Sequence, residues 1–494
     1  MKNKFTIVIA IISFLLIFDA NAQTKKVEIM QVEFNSSKDD FAPTLTQNGR
    51  FMFFTSDQNS RKQKAFLVER TSSGWGTPEE LNKEINDGSE VGAIALTPDG
   101  QSMIFAAYEH DKLGLGRTDL YSARKVYGVW TDIQNLGPNV NTAYWESQPT
   151  LSSDGNTMFF ASDRPGGYGG IDIYMCTRTK DGWTKATNLG NVINSADDDL
   201  APVLGADNKL LSFASNRPGG VGGFDIYISR YQGNAFSAPK NAGEPINSSA
   251  DDLFYNSKAN SDIAFFASDR SGGEGGFDIY MAVPNPYESE AVVLVQGTVK
   301  DKTNDQPLGS KVTVTDLRSG KKVADLRSDD VTGNYYAVLQ PGKSYSITAQ
   351  RPGYVFYSER YEVPPTEKGH VENKDIYLTP LEGGTTRLLI FFDFDKTDLQ
   401  DESIPELERT IEFLKENTNV RIQLEGHTDD VGSDEYNDKL SLSRANAAKT
   451  YLVNAGIDDK RIKTAGLGKR HPLVKGTSDE ARATNRRVEM KIVK

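Results

Sequence analysis

The stretch MFFASDRPGGYGGIDIYM, residues 158–175, decides how the larger part of this chain folds. It reads as an apolar strand, a turn, a glycine-rich loop and a second strand, and it returns as IAFFASDRSGGEGGFDIYM at 263–281. The register between copies is strict. Asp119, Asp172, Asp225 and Asp278 are each 53 residues apart, as are Tyr121, Tyr174, Tyr227 and Tyr280, and Asp57, His110, Asp163, Asn216 and Asp269 keep the same interval. Five copies can be counted, the first degenerate, with Phe66 where the aspartate of the D-I-Y triplet should stand.

A period near 50 with several short strands per copy predicts a β-propeller, because each unit buries its faces only against its neighbours. Five blades are expected, or six if residues 25–38 pair with the segment after Met281 to close the ring. Trp75, Trp130, Trp183 and Phe236 recur at a similar point in each unit and are expected to fill the space between blades. The acids of the repeat, among them Asp163, Asp172, Asp197 to Asp199, Asp251 and Asp252, invite a calcium reading. Their recurrence in every blade favours architecture: Asp and Arg of the S-D-R triplet bonding each other and nearby amides, with glycine supplying positive φ. With the acids spent on architecture, function is expected on the exposed loops, as a docking surface; the SDRPGG…DIY wording resembles the repeats of TolB-like propellers.

A different pattern governs the last hundred residues. HTDDVGSDEYNDKLSLSRANA, 427–447, sets an acid, Asp429, fifteen residues before an arginine, Arg444. Asp429 follows the apolar run Val420 to Leu424 and is expected in a loop at a strand end, while Arg444 is expected in the first turn or two of a helix Ser441 to Ala455. A carboxylate and a guanidinium held apart suit a ligand that offers an ammonium and a carboxylate on one carbon. Leu388 to Phe394, Val420 to Leu424 and Arg487 to Val493 read as strands, and Ile404, Leu407, Ile411 and Leu414 as one helix face, with Ser403 and Glu406 as its capping box.

From Arg387 onward, FFDFDKTDL at 391–399, the HTDD segment, LSLSRANA at 440–447, Gly466 and Gly468, and NRRVEMKI at 485–492 resemble the OmpA-like peptidoglycan-binding domain. The resemblance implies that Asp429 and Arg444 hold the diaminopimelate of the cell-wall stem peptide. It further implies lining contacts from Asp395, Asn437, Asn485 and Arg486.

Between these parts, Pro284, Pro286 and the acidic run Tyr287 to Glu290 read as a linker. VQGTVKDKTNDQPLGSKVTVTDL and GNYYAVLQPGKSYSITAQRPGY then alternate apolar and polar residues with frequent turns, the pattern of a small β-sandwich. Residues 291–380 resemble the transthyretin-like regulatory domain of carboxypeptidases, a spacer or binding aid.

At 494 residues the chain should hold about three domains. Its 37% hydrophobic residues, 43 glycines and 20 tyrosines suit β-rich modules, and a formal charge of −12 argues against nucleic acid or an anionic membrane as partner. Lys2 and Lys4, the apolar run Phe5 to Phe18 and Ala20-Asn21-Ala22 read as a signal peptide, residues 1–22, cleaved after Ala22. The run is shorter than the roughly 20 residues that span a bilayer, Gln23 offers no lipid anchor, and no transmembrane segment is expected in the mature chain. The single thiol, Cys176, is expected to be buried in a strand.

Catalysis finds no foothold. None of His110, His370, His427 and His471 begins a zinc-hydrolase motif, no G-x-S-x-G elbow is present, and the S-x-x-K of Ser319 to Lys322 falls in a turn. His427 is expected to orient the loop at Asp429. No cofactor and no metal are called for.

The sequence therefore describes a propeller at 23–285, a sandwich at 291–380 and an OmpA-like domain at 385–494, in a non-enzymatic periplasmic protein associated with the outer membrane and cell wall. It grips peptidoglycan and presents the propeller to a protein partner. The alternative is a propeller that holds a peptide or glycan substrate within an envelope processing or secretion system. A motor-stator reading shares the C-terminal domain but needs a retained membrane helix, against the Ala-Asn-Ala site. The combination resembles Bacteroidetes envelope proteins.

Overall fold

The computed structural model describes residues 26–493 apart from 89, 111, 113, 234, 258, 383, 391 and 393–395. The signal sequence expected over 1–22 lies outside the described residues, as does Asp395. The N-terminal region is mostly β-sheet and an α/β domain follows at the C-terminus.

The 53-residue repeat folds as five antiparallel sheets whose first strands are Asp40–Leu45, Glu90–Leu96, Glu146–Leu151, Asp199–Leu204 and Asp252–Ser257. These first strands touch in succession, and the fifth touches the first, so the sheets form a closed ring. Residues 28–31 pair with 280–283, Glu28 opposite Val283 and Gln31 opposite Tyr280. The strand Glu28–Gln31 thus completes the fifth sheet beside Asp278–Val283 instead of starting a sixth.

Aromatic wedges join neighbouring sheets. Trp130 meets Phe53 of the preceding sheet at 6.1 Å, Phe236 meets Phe159 at 6.1 Å, and Trp75 of the first sheet meets Phe265 of the fifth at 6.1 Å. In four sheets the first strand bulges at a non-glycine residue with positive φ, Ala42 (55°), Gln148 (55°), Ala201 (50°) and Phe254 (58°). The bulge turns side chains toward the next sheet, where the Gln148 Oε1 accepts from the Ala201 amide at 2.8 Å.

Two expectations within the repeat are corrected. The arginine of S-D-R does not bond the adjacent aspartate. Arg164, Arg217 and Arg270 reach back 18 residues to the fully buried carboxylates of Glu146, Asp199 and Asp252 at 3.1, 2.5 and 2.6 Å, and lie over the paired rings of the same sheet, as Arg217 does over Phe213 and Tyr227 at 5.2 and 4.8 Å. A carboxylate in the sheet interior demands a counter-charge, whereas Asp163 is occupied by the Trp145 amide at 2.8 Å and by Arg117. In the degenerate first copy the hairpin is two residues shorter, since Ser56 pairs with Lys64 where Ser162 pairs with Asp172. Phe66 therefore takes the tyrosine position against Phe54, and Lys64 the aspartate position. The remaining acids serve the backbone, Asp172 accepting from the amides of Tyr168 (2.6 Å) and Gly169 (3.2 Å) and Asp198 from that of Ile171 (2.8 Å). Cys176 is buried, and burial pushes its thiol up to about 12.

Residues 284–290 are not a free tether. The Tyr287 ring packs on Tyr255 at 6.1 Å and its hydroxyl donates to the Ala242 carbonyl at 2.9 Å, because an aromatic in an acidic run finds burial against the ring more favourable than water. Beyond it two sheets, one centred on Val293–Asp301 and one on Lys311–Asp316 and Lys343–Gln350, share a core of Val295, Val312, Tyr335, Tyr345, Ile347 and Leu378. This unit rests on the hairpin tips of the ring. The Arg327 amide donates to Asp99 at 2.8 Å and Asn48 to the Tyr336 hydroxyl at 3.0 Å.

The C-terminal sheet runs Thr385–Leu388, Val488–Val493, Arg421–Gly426, Ile462–Gly466. Helices α1 (Ile404–Glu416) and α2 (Asp434–Asn454) cover the face bearing Leu388, Ile422, Leu424, Val488 and Met490. Phe356 from the preceding unit enters this core, 5.5 Å from Phe413. The capping box expected at Ser403 and Glu406 is absent, for Ser403 makes no side-chain cap and buried Glu406 bonds Ser358 (2.9 Å) and Arg409.

Candidate functional site

The strand Arg421–Gly426 ends against α2, where a Cβ on Gly426 would meet the Ser441 carbonyl oxygen at 2.0 Å. Only glycine permits that approach. The chain then runs through His427 to Gly432, whose φ of +94° turns it into Ser433, the N-cap of α2, which accepts from the Tyr436 amide at 3.3 Å. With that cap in place α2 begins at Asp434, and Arg444 stands in its middle and not in its first turns as expected.

Asp429 is 7% exposed. Its Oδ2 accepts from Arg486 Nη1 at 2.8 Å and its Oδ1 from the Val431 amide at 3.2 Å. Arg444, 2% exposed, donates Nε to the Lys396 carbonyl at 3.1 Å and lies 5.1 Å over the Phe392 ring. Asn437 holds the loop shut by donating to the Val431 carbonyl at 2.9 Å. Asn485 pins a second loop, accepting from Leu473 and Val474 at 2.7 and 3.1 Å and donating to the Val474 carbonyl at 2.8 Å. Asp429 and Arg486 are therefore joined directly, Asn437 and Asn485 shape the loops on either side, and Arg444 is held by Lys396 and Phe392.

Sequence reasoning missed that Arg482 and Arg486 act together. Arg482, in α3 (Asp479–Asn485), binds Asp430 at 2.8 Å, and its guanidinium holds that carboxyl below the usual range. The signal was present: two arginines four apart, Arg482 in α3 and Arg486 at its C-cap, answer the two adjacent acids of HTDD. His427 also differs from expectation. Its backbone amide donates to Arg487 O at 2.9 Å, but among the described residues neither ring nitrogen has a hydrogen-bond partner, and burial pulls the imidazole down to about 4. The loop is oriented through the main chain and not through the ring.

The arrangement can bind by charge: a buried carboxylate and guanidinium groups suit a ligand with both an ammonium and a carboxylate.

Residues 391–486 match the OmpA family. Outer membrane porin F of Pseudomonas aeruginosa is 39% identical over 107 residues, 22% of this chain and 31% of the relative, and the chain spans about a third of the length of the first curated relatives it matches. The crystal structure of the peptidoglycan-associated lipoprotein from Burkholderia pseudomallei is similar over 21% of this chain and 88% of its own, at 32% identity and a TM-score of 0.21. The structure of a TolB from Agrobacterium tumefaciens is similar over 63% of this chain and 96% of its own, at 16% identity and a TM-score of 0.34. The C-terminal region of the chain, residues 391–486, belongs to the OmpA family.

Proposed function

We propose that the chain is a non-enzymatic envelope protein that binds peptidoglycan through residues 385–494 and offers its N-terminal ring to a protein partner. In this reading residues 23–285, freed of the signal peptide, form a five-bladed propeller, residues 291–380 a transthyretin-like sandwich between it and the wall-binding domain, and the molecule works in the periplasm as an adaptor at the outer membrane. Asp429 takes the ammonium of diaminopimelate and Arg444 its carboxylate, with Arg486, Asn437 and Asp395 lining the ligand.

The observation that carries the reading is the pairing of buried Asp429 with Arg486, together with a buried Arg444, within the segment that matches the OmpA family. The name of the similar Burkholderia lipoprotein, peptidoglycan-associated, points the same way. The test is sedimentation with purified sacculi. The whole chain is expected in the pellet and the double variant Asp429→Ala with Arg444→Ala in the supernatant. Equal retention of both, with the variant folded by circular dichroism, would refute the reading.

A further inference from the structure

The face of the C-terminal sheet turned away from α1 and α2 carries a second constellation, separate from the wall-binding reading and not resting on it. Alternation places Ile422, Leu424, Val488 and Met490 on the helix side and Gln423, Glu425 and Glu489 on the other. Glu425 and Glu489 stand directly opposite each other across the antiparallel pair. Like charges in that relation are unfavourable unless cations offset them, and Arg487, paired with Glu489, and Arg387, opposite it on the neighbouring strand, supply part of that offset.

Each carboxylate has one oxygen engaged. Gln423 Nε2 donates to Glu425 Oε1 at 2.7 Å and Arg487 Nε to Glu489 Oε1 at 2.6 Å, and the second oxygen of Glu489 faces His427. Beside them is His427, 2% exposed, with no hydrogen-bond partner on either ring nitrogen. A buried imidazole with both nitrogens unsatisfied is an expensive arrangement that a ligand relieves. Its Nε2 is 3.9 Å from Glu489 Oε2, and one ligand atom from each of Glu425, His427 and Glu489 lies within 4.8 Å of the others.

We propose that Glu425, His427 and Glu489 bind a divalent transition-metal ion of the zinc type. One imidazole and two carboxylates form a mixed nitrogen and oxygen set, which such ions accept and which calcium or magnesium, preferring oxygen alone, does not favour. Three protein ligands leave a coordination position for water. Closing the ligand atoms to about 2.0–2.2 Å from one ion needs a contraction of about an ångström, within reach of two glutamate side chains. The bonds from Gln423 and Arg487 fix the carboxylate orientations as outer-shell partners do. The Arg487 guanidinium also opposes a second positive charge, so the site is weaker than a structural zinc centre.

The test is titration of the purified whole chain with cobalt(II), read by its visible absorption band, followed by displacement with zinc and calorimetry. One ion per chain is expected. Glu425→Gln and Glu489→Gln should each weaken binding by about tenfold or more, and His427→Ala should abolish it. His370→Ala, which removes the exposed imidazole that contacts Glu372 at 2.9 Å, should change nothing. If His427→Ala does not fold, Glu425→Gln at its half-buried position decides the matter. No absorption band at excess cobalt, or binding untouched by these three variants, overturns the proposal.

Discussion

Replacing Arg444 should weaken stem-peptide binding more than replacing Asp429, although in the proposed function the two hold opposite ends of one zwitterion. A charge-assisted contact to a desolvated ligand is worth about 1.5 to 3 kcal/mol, or roughly ten- to 150-fold in affinity. Asp429 is already paired with Arg486 at 2.8 Å, and Arg486 is about one-third exposed. The ligand ammonium therefore shares that carboxylate, and Asp429→Ala frees Arg486 to approach the ligand carboxylate. The loss should fall near tenfold.

Among the described residues, no second arginine shares the Lys396 and Phe392 contacts that hold Arg444. Its guanidinium is oriented by the Lys396 carbonyl and the Phe392 face, and its loss should approach the upper end, on the order of 100-fold. Arg444→Lys should recover only part, because an ammonium cannot reproduce the fork. Calorimetry with a diaminopimelate muropeptide and its lysine analogue measures all of this, with circular dichroism as the folding control. The coupling adds a stricter condition: Asp429→Ala and Arg486→Ala combined should be less damaging than the sum of their separate effects. Undiminished binding in folded Arg444→Ala, or strict additivity of the second pair, would refute the reasoning.

Three further outcomes follow from packing. Phe356→Ala should destabilise the C-terminal domain by about 3 to 5 kcal/mol in urea titration, since the ring is 2% exposed and fills a core built mostly by residues beyond 385. Gln58→Arg should raise the melting temperature. Position 58 is where Arg164, Arg217 and Arg270 stand in later copies, while buried Asp40 has an unpartnered Oδ1 and a carboxyl pushed up by burial. The new guanidinium would supply the missing partner over Phe54 and Phe66, and the gain should grow as pH rises and the carboxylate ionises. Burial also raises Glu406 above its ordinary 4.5, with Arg409 and Ser358 offsetting only part. A raised folded value means that this group's share of stability is complete below its unfolded value and is lost as pH rises through the folded one, so Glu406→Gln should flatten the decline in urea stability above about pH 4.5.

The ring was legible because its information is periodic: an interval of 53 residues repeats the same strand, turn and loop, and any one copy explains the others. What was illegible lies at separations the repeat does not advertise. The partner of Arg217 is Asp199, 18 residues earlier, while the adjacent Asn216 is spent on the Asp198 amide at 2.8 Å. The two-residue deletion in the first copy is visible only through strand pairing, since Phe66 looks like a lost aspartate until it is found opposite Phe54. In the C-terminal domain, motif order located Asp429 and Arg444, but the start of α2 was misjudged because polar Asp434 to Lys439 hide a helix that Ser433 caps. His427 and Glu489 are 62 residues apart, and no local pattern announces their meeting.

The pairing of 28–31 with 280–283 has a consequence for the order of biogenesis. Within the ring, the first strand to be synthesised is the strand that must pair last, after some 250 residues have followed it. Contacts of such long sequence separation are slow to form, since the loop entropy is spent before the bonds return it. Until then the edge of Asp278–Val283 displays unpaired amides and carbonyls, open to a strand from any neighbouring chain. A nascent molecule is consequently most prone to entangle with its own copies in the interval between the emergence of residue 283 and the return of residue 28, and a holdase that shields sheet edges would matter most in that interval.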